Sequence, residues 1–393
     1  MRFLRRLITR LVVTVVVLAV VAGVAFVAVP PFATAVRSAG LLAELLEFGV
    51  RPLSTATAAP RRITTTYGSA PADRLDIYLP ADALPDASRA AVILSLGIHP
   101  LSLDHPDISR IAGAIARLGI VVGVPESSAL RDTRVTPDEP GRLAEATLVV
   151  AARPEVESTR VGIAGFSAGA SVALVAAADP LIVRSLAFVS SFGGYADAGT
   201  LLIDVATRTQ EIDGRTRPWA AEPYVRRDIA ALLIGTIEPS AERDLLGGLL
   251  APTIASGDPP RGPDPAVLAR LATADVRVAY ELLSAASRGD AEAALARLSD
   301  DVRDSLAAVS PVTVAHDLVA RVFLMHGESD RSIPVSHVHL VADALPAGVL
   351  ARLTVFDLFQ HVQPGKDGIT VEQIPDLWQL YLYLHDLVAL TTE

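Results

Sequence analysis

Three residues of the types that carry out acyl transfer stand in order along this chain: a serine at 167, an aspartate at 330 and a histidine at 361. Ser167 lies in Gly165-Phe166-Ser167-Ala168-Gly169, after the apolar run Arg160–Ala164 and before the small-residue run Ala170–Ala176. That pattern predicts a strand, a sharp turn with the serine at its apex, and a helix. Side chains at 165 and 169 would crowd so tight a turn, which accounts for the glycines. The serine hydroxyl then stands at a helix N-terminus, where backbone N–H groups lack intrahelical acceptors and can meet an oxyanion.

A serine hydroxyl is a weak nucleophile at neutral pH and needs a base, which in turn needs an orienting acid. The candidate acid is Asp330, in the polar loop Gly327–Ser332 that ends the apolar run Val322–Met325. Glu328 in the same loop and Asp357 after the next strand-like run are its rivals. The candidate base is His361, at the start of a loop after Leu353–Phe359. Both lie beyond strand C-terminal ends, where open α/β sheets bind their ligands. The oxyanion donors expected are the backbone N–H of Ala168 and that of Gly97 or Ile98, just after the run Ala91–Leu96.

With these motifs in place, the chain resembles the α/β-hydrolase superfamily. The resemblance rests on Gly165–Gly169, on His326-Gly327-Glu328-Ser329-Asp330 with Pro334, and on Phe359-Gln360-His361. It covers residues 62–195 and 311–393. It looks closest to the serine esterase, dienelactone-hydrolase-like and oligopeptidase-like branches. Two positions depart from those branches. Dienelactone hydrolases use a cysteine where this chain has Ser167, and oligopeptidase-type enzymes usually carry a further glycine where it has Ala170. The resemblance implies an α/β-hydrolase fold, with a mostly parallel sheet, helices on both faces and a helical cap. It also implies a triad of Ser167, Asp330 and His361 acting on an ester, with thioester or peptide amide open to the same machinery.

The remaining histidines suggest other roles. His326 reads as a structural residue of the Asp330 loop. His99 and His105 flank the oxyanion loop, His337 and His339 fall in a helical segment, and His316 and His385 have no partner pattern. No pair has ligand spacing with a supporting carboxylate, so neither metal nor cofactor is predicted. The net charge of −10, the scattered basic residues and the lack of a recognition motif argue against nucleic acid. With no cysteine, disulfides and a thiol nucleophile are excluded.

The first ten residues carry four arginines, and Leu11–Val29 carries no charge. Nineteen helical residues span ~28 Å, close to a bilayer's hydrocarbon thickness. The expectation is a single transmembrane anchor over residues 1–30, with the body of the chain outside the cytoplasm. A signal peptide cleaved near Ala33-Thr34-Ala35, giving a secreted protein, is the alternative. Residues 31–61 read as a tether. Within it Leu41–Phe48 forms a short amphipathic helix, lying on the membrane or packed on the body.

From Ile63 two strand-like runs form an entry hairpin, and strands then alternate with helix-length segments. This gives a hydrolase core over 62–195 and 311–393, with the alternation broken by a largely helical stretch at 196–310. Within that stretch Asp264, Asp290 and Ser299 are expected to open helices. Asp107 or Ser109 is expected to cap the helix before Ile120. Trp219, Tyr224 and Tyr280 are candidate pocket or cap-core residues. Two further functions share these features: an idle hydrolase fold that binds lipid or protein, and an acyltransferase that passes the acyl group to an alcohol.

Overall fold

The computed structural model describes residues 26, 28–46, 49–68, 73–85, 88–98, 102–219, 221–256, 261–361, 363–364 and 370–392. The predicted anchor falls almost wholly outside them, as does His99. No helix among the described residues is long and apolar enough to cross a membrane.

Among the described residues the first named elements are helices Pro30–Leu45 and Pro52–Ala56. Strands β1 (Arg61–Tyr67), β2 (Asp73–Leu79), β3 (Arg89–Ser95), β4 (Val121–Pro125), β5 (Val156–Phe166) and β6 (Leu186–Phe192) follow. After β6 come a small hairpin, β7 (Thr209–Ile212) and β8 (Arg215–Pro218), then β9 (Arg321–Gly327), β10 (Leu350–Phe356) and the short pair β11 (Phe359–Gln360) and β12 (Gln363–Pro364). Eight of these form one sheet in the order β1-β2-β4-β3-β5-β6-β9-β10. Only the pairings β1/β2 and β2/β4 are antiparallel. The other five are parallel.

Parallel strands need crossovers, and the crossover helices bury both sheet faces, so the inner strands are apolar on both sides. In β3, Ala91 and Ile93 face one core, shared with helices Glu139–Ala151 and Ala168–Ala177. Val92 and Leu94 face the other, shared with helices Pro106–Ala116 and Ile374–Thr392. In β9, Val322 and Leu324 join the first core, and Phe323 and Met325 the second. This is the two-residue side-chain period of a strand.

The segment read as a tether lies on the body. Leu41, Leu42 and Leu53 are buried in the second core, and Glu44 accepts hydrogen bonds from the Ser54 N–H and hydroxyl. Of the two placements open for the Leu41–Phe48 segment, its described part takes the one against the fold.

Between β6 and β9 the stretch is mainly helical, with seven helices among the described residues from Ala198–Thr207 to Asp300–Ala307. The β7/β8 hairpin was not expected, because its residues are too polar to carry a strand period. Two caps also differ from expectation. His105, not Asp107 or Ser109, caps helix Pro106–Ala116, its Nδ1 accepting the Asp107 N–H at 3.3 Å. Ser287, not Asp290, caps helix Arg288–Leu295, its hydroxyl oxygen accepting the Asp290 N–H at 3.2 Å. Asp264 caps as expected, accepting the Ala266 N–H at 2.8 Å.

Candidate active site

β5 ends at Phe166, and the helix begins at Ala168. Ser167 between them has φ 55° and ψ −133°, a region a non-glycine residue occupies only when its surroundings impose it. Those surroundings are backbone. A Cβ at Gly165 would meet the Gly169 carbonyl oxygen at 2.4 Å, and one at Gly169 would meet the Leu96 carbonyl oxygen at 2.3 Å. The Ser167 N–H donates to the Phe192 carbonyl at 2.8 Å, tying the turn to β6.

The Ser167 hydroxyl lies 2.7 Å from Nε2 of His361, and Nδ1 of His361 lies 2.8 Å from Oδ2 of Asp330. With Nδ1 protonated, His361 donates to the carboxylate and presents a lone pair to the serine hydroxyl. His361, just after β11, itself has φ 65°, a second non-glycine residue of the site in the left-handed region. The Asp330 carboxylate is fully buried, and its second oxygen accepts the N–H groups of Ser332 at 2.7 Å and Ile333 at 3.0 Å. Burial pushes the carboxyl up. The His361 hydrogen bond and charge, His326 and the Ile333 N–H together outweigh it and hold Asp330 below the usual carboxylate range. The rivals for the acid point elsewhere: Glu328 is exposed, and Asp357 is exposed with its backbone N–H donating to Asp376.

His326 takes the structural place foreseen for it. It is fully buried on β9, with Nε2 donating to the Ile333 carbonyl at 2.9 Å. Burial depresses its pKa, keeping the ring neutral behind the acid.

Ala168 is the first residue of its helix, so its N–H is among those without an intrahelical acceptor. Gly97 comes against the serine directly: a Cβ on it would lie 2.8 Å from Cβ of Ser167. Ile98 follows, half-buried against the first core. Ala168 and Gly97 therefore both adjoin Ser167.

A second set of contacts was invisible in the motif pattern. Trp219, from the stretch between β6 and β9, donates its indole N–H to the main-chain carbonyl of Asp330 at 2.8 Å. The Glu222 N–H donates to the Arg331 carbonyl at 3.1 Å, and the two side chains form an ion pair at 2.6 Å. Tyr224 hydroxyl stands 3.4 Å from that of Ser332. Tyr280, by contrast, is buried within the helical stretch, and its hydroxyl accepts the Asp264 N–H at 3.3 Å. No group of three or more metal-ligating side chains occurs among the described residues.

No family model and no curated protein sequence matches this chain. Solved structures do resemble it. A dipeptidyl peptidase 4 of Porphyromonas gingivalis is 12% identical over 86% of this chain and 37% of its own, with a TM-score of 0.48. A puromycin-hydrolyzing peptidase of Mycobacterium tuberculosis is 13% identical over 84% of this chain and 39% of its own, with a TM-score of 0.47. A thermophilic esterase of the planctomycete Thermogutta terrifontis is 15% identical over 82% of this chain and 90% of its own, with a TM-score of 0.44. This chain thus spans well under half the length of the two peptidases. The fold is read from the chain's own architecture. One antiparallel strand, β2, stands within an otherwise parallel run, β4 precedes β3 in the sheet, and a strained serine sits between β5 and its helix, with acid and histidine following in that order. By that architecture this chain has the α/β-hydrolase fold.

Proposed function

We propose that this protein is a serine hydrolase that cleaves carboxylic esters through an acyl-enzyme. The observation that carries the proposal is the continuous hydrogen-bonded chain from Ser167 through His361 to a buried, ionised Asp330. In the reaction Ser167 Oγ attacks the ester carbonyl carbon while His361 Nε2 takes the hydroxyl proton. The oxyanion that forms is met by the N–H of Ala168 and that of Gly97 or Ile98. The C–O bond then breaks, His361 delivers its proton to the departing alkoxide, and the acyl group stays on the serine. Water, deprotonated by His361, attacks the acyl-enzyme and returns the serine. Asp330 holds the imidazole in the required tautomer throughout and steadies its charge. An ester asks least of this machinery, because an alkoxide is a better leaving group than an amine anion.

The N-terminal sequence supports a setting for this activity: a single membrane anchor over Leu11–Val29, with the four arginines inside and the hydrolase body outside the cytoplasm. The substrate is then a small-molecule or lipid ester.

Labelling of the full-length protein with a fluorophosphonate tests the nucleophile. Covalent labelling that vanishes in Ser167→Ala is expected, together with turnover of a panel of p-nitrophenyl and alkyl esters. Labelling undiminished in Ser167→Ala would remove the nucleophile from this site. Turnover of aminoacyl amides with none of esters would replace the ester with a peptide substrate.

A further inference from the structure

Two exposed apolar stripes lie side by side, one where the described chain begins and one where it ends. Phe26, Val29, Phe32 and Val36 are exposed at 36, 46, 38 and 43%. Phe32 and Val36 stand four residues apart on helix Pro30–Leu45, the spacing that puts side chains on one helix face, and Phe26 and Val29, the latter in extended backbone, lead into it. Val371, Ile374 and Trp378, leading into the C-terminal helix, are exposed at 81, 54 and 57%, again at steps of three and four. The two helices meet through Tyr381. Its hydroxyl donates to the Ala35 carbonyl at 3.4 Å, and the Trp378 ring stacks on its ring with centroids 5.0 Å apart.

The opposite faces of the same helices already supply the fold's core, with Leu41, Leu42, Leu380, Tyr383 and Val388 buried. The outward stripes are therefore apolar without being needed for packing. Scattered exposed apolar residues are ordinary on a protein surface, but paired stripes are not. The acidic residue nearest Trp378 on its helix, Asp376, is engaged with the chain itself, accepting the Asp357 N–H at 3.0 Å. Beside the first stripe the Arg37 guanidinium lies over the Phe26 ring, 5.6 Å from its centroid. Tryptophan, tyrosine and an arginine over an aromatic ring at the edge of an apolar face suit the headgroup level of a bilayer, where one end of the group is dry and the other wet.

The chain itself says what covers this face. The uncharged run from Leu11 continues into Phe26 and Val29, two residues of the stripe. In the proposed anchor that run ends at Val29, within the stripe, so the outer boundary of the bilayer would fall at this face. We propose that the two stripes form a lipid-docking surface, seated on the outer interface of the same bilayer that holds the anchor. The inference rests on the proposed anchor for its lipid, and not on the hydrolytic chemistry.

Docking there has a consequence for the active site. Asp357 follows the last residue of β10 and is four residues before His361, and its N–H is held by the C-terminal helix. The lipid-facing end of that helix and the catalytic histidine thus share one sheet edge. Seating the surface brings this edge close to the headgroups, where an amphiphilic ester can reach it without crossing bulk water.

Trp378 and the buried Trp219 are the two tryptophans of the chain, so Trp378 reports on its own surroundings. Full-length protein is reconstituted in phosphatidylcholine vesicles with or without brominated acyl chains. The Trp378 signal is taken as the difference between the wild type and Trp378→Phe. Expected are a blue-shifted emission, strong quenching by the brominated lipid and protection from aqueous iodide. Protein that floats with the vesicles while Trp378 stays open to iodide and untouched by brominated lipid would overturn the docking surface and leave the anchor standing. Trp378 shielded from both quenchers, and released on dilution of protein in lipid, would assign the face to a second copy. Protein that does not float would overturn anchor and docking together. Fluorophosphonate labelling of the same samples reads the hydrolase proposal separately.

Discussion

The indole N–H of Trp219 donates to the main-chain carbonyl of Asp330, 111 residues further along the chain, at 2.8 Å. The stretch between β6 and β9 therefore grips the residue whose carboxylate is hydrogen-bonded to His361. Moving this stretch as a hinged cap would pull on the acid. Trp219→Phe keeps the ring in place and removes the donor, leaving a buried carbonyl unsatisfied at a cost of about 1–3 kcal/mol. The expected result is a kcat about 10-fold lower with KM nearly unchanged, since the change displaces the acid and not a substrate contact. Steady-state kinetics on a soluble ester checks it. A raised KM at constant kcat would place Trp219 in the substrate pocket instead.

Asp330→Asn should lower kcat by up to ~10⁴, because the amide no longer fixes the tautomer of His361 or steadies its charge. Asp357→Asn should change kcat less than about threefold, since that side chain is exposed and outside the hydrogen-bonded chain. The two losses in reverse order would move the acid to the end of β10.

The site was legible in the sequence because a nucleophile on a strained turn leaves a local mark. Gly165 and Gly169 are required by atoms within a few residues or on the adjacent strand. Asp330 and His361 each follow an apolar run that only a buried strand explains. Trp219, Glu222 and Tyr224 left no such mark. Their partners lie more than a hundred residues away, and the Trp219 and Glu222 N–H contacts end on main-chain carbonyls, which impose no residue type at the far end. Two of the caps differ for a related reason. At Ser287 and His105 several polar residues stand together, and which of them caps depends on where the preceding chain enters the helix. The polar hairpin β7/β8 carries no apolar period, so contacts with helix Ser336–Ala344 and its other neighbours decide its conformation. The Ser336 N–H, for example, donates to the Gln210 side chain at 3.3 Å.

Acid should destabilise the fold in two steps. The folded pKa of His326 is depressed by burial below its ordinary ~6.5. The unfolded chain therefore takes up a proton first, so stability present above ~pH 6.5 declines as pH falls below it. Asp330 acts lower on the scale. Its folded pKa is below the ordinary ~3.9, so its contribution is present above that value and lost as pH falls through the folded pKa. Urea denaturation from pH 8 to 3 checks both. Relative to wild type, His326→Gln should lose the slope that starts near ~pH 6.5 and keep the more acidic one. A variant with an unchanged slope in the upper window would mean that His326 titrates alike in the folded and unfolded chain.

The helical stretch is also fastened to the core by a buried charge. Asp204 is 0% exposed, its Oδ1 accepts from Arg288 at 2.6 Å, and its Oδ2 lies 3.3 Å from Nε2 of His337. His337 is equally buried, and its Nδ1 accepts the Ala196 N–H at 3.0 Å, which leaves Nε2 to carry the proton that faces Asp204. Asp204 and Arg288 belong to two helices of the stretch, whereas His337 belongs to the helix that joins β9 to β10. Arg288→Met should cost about 3–5 kcal/mol, because it strands a carboxylate in the interior with only an imidazole N–H beside it. Replacing both partners, as Arg288→Met with Asp204→Leu, should recover most of the loss, since a buried ion pair can be exchanged for apolar packing at little cost. Chemical denaturation of the two variants checks this. A double variant no more stable than the single one would show that Asp204 acts chiefly through His337, and the link between the stretch and the core would then be the aspartate–histidine contact.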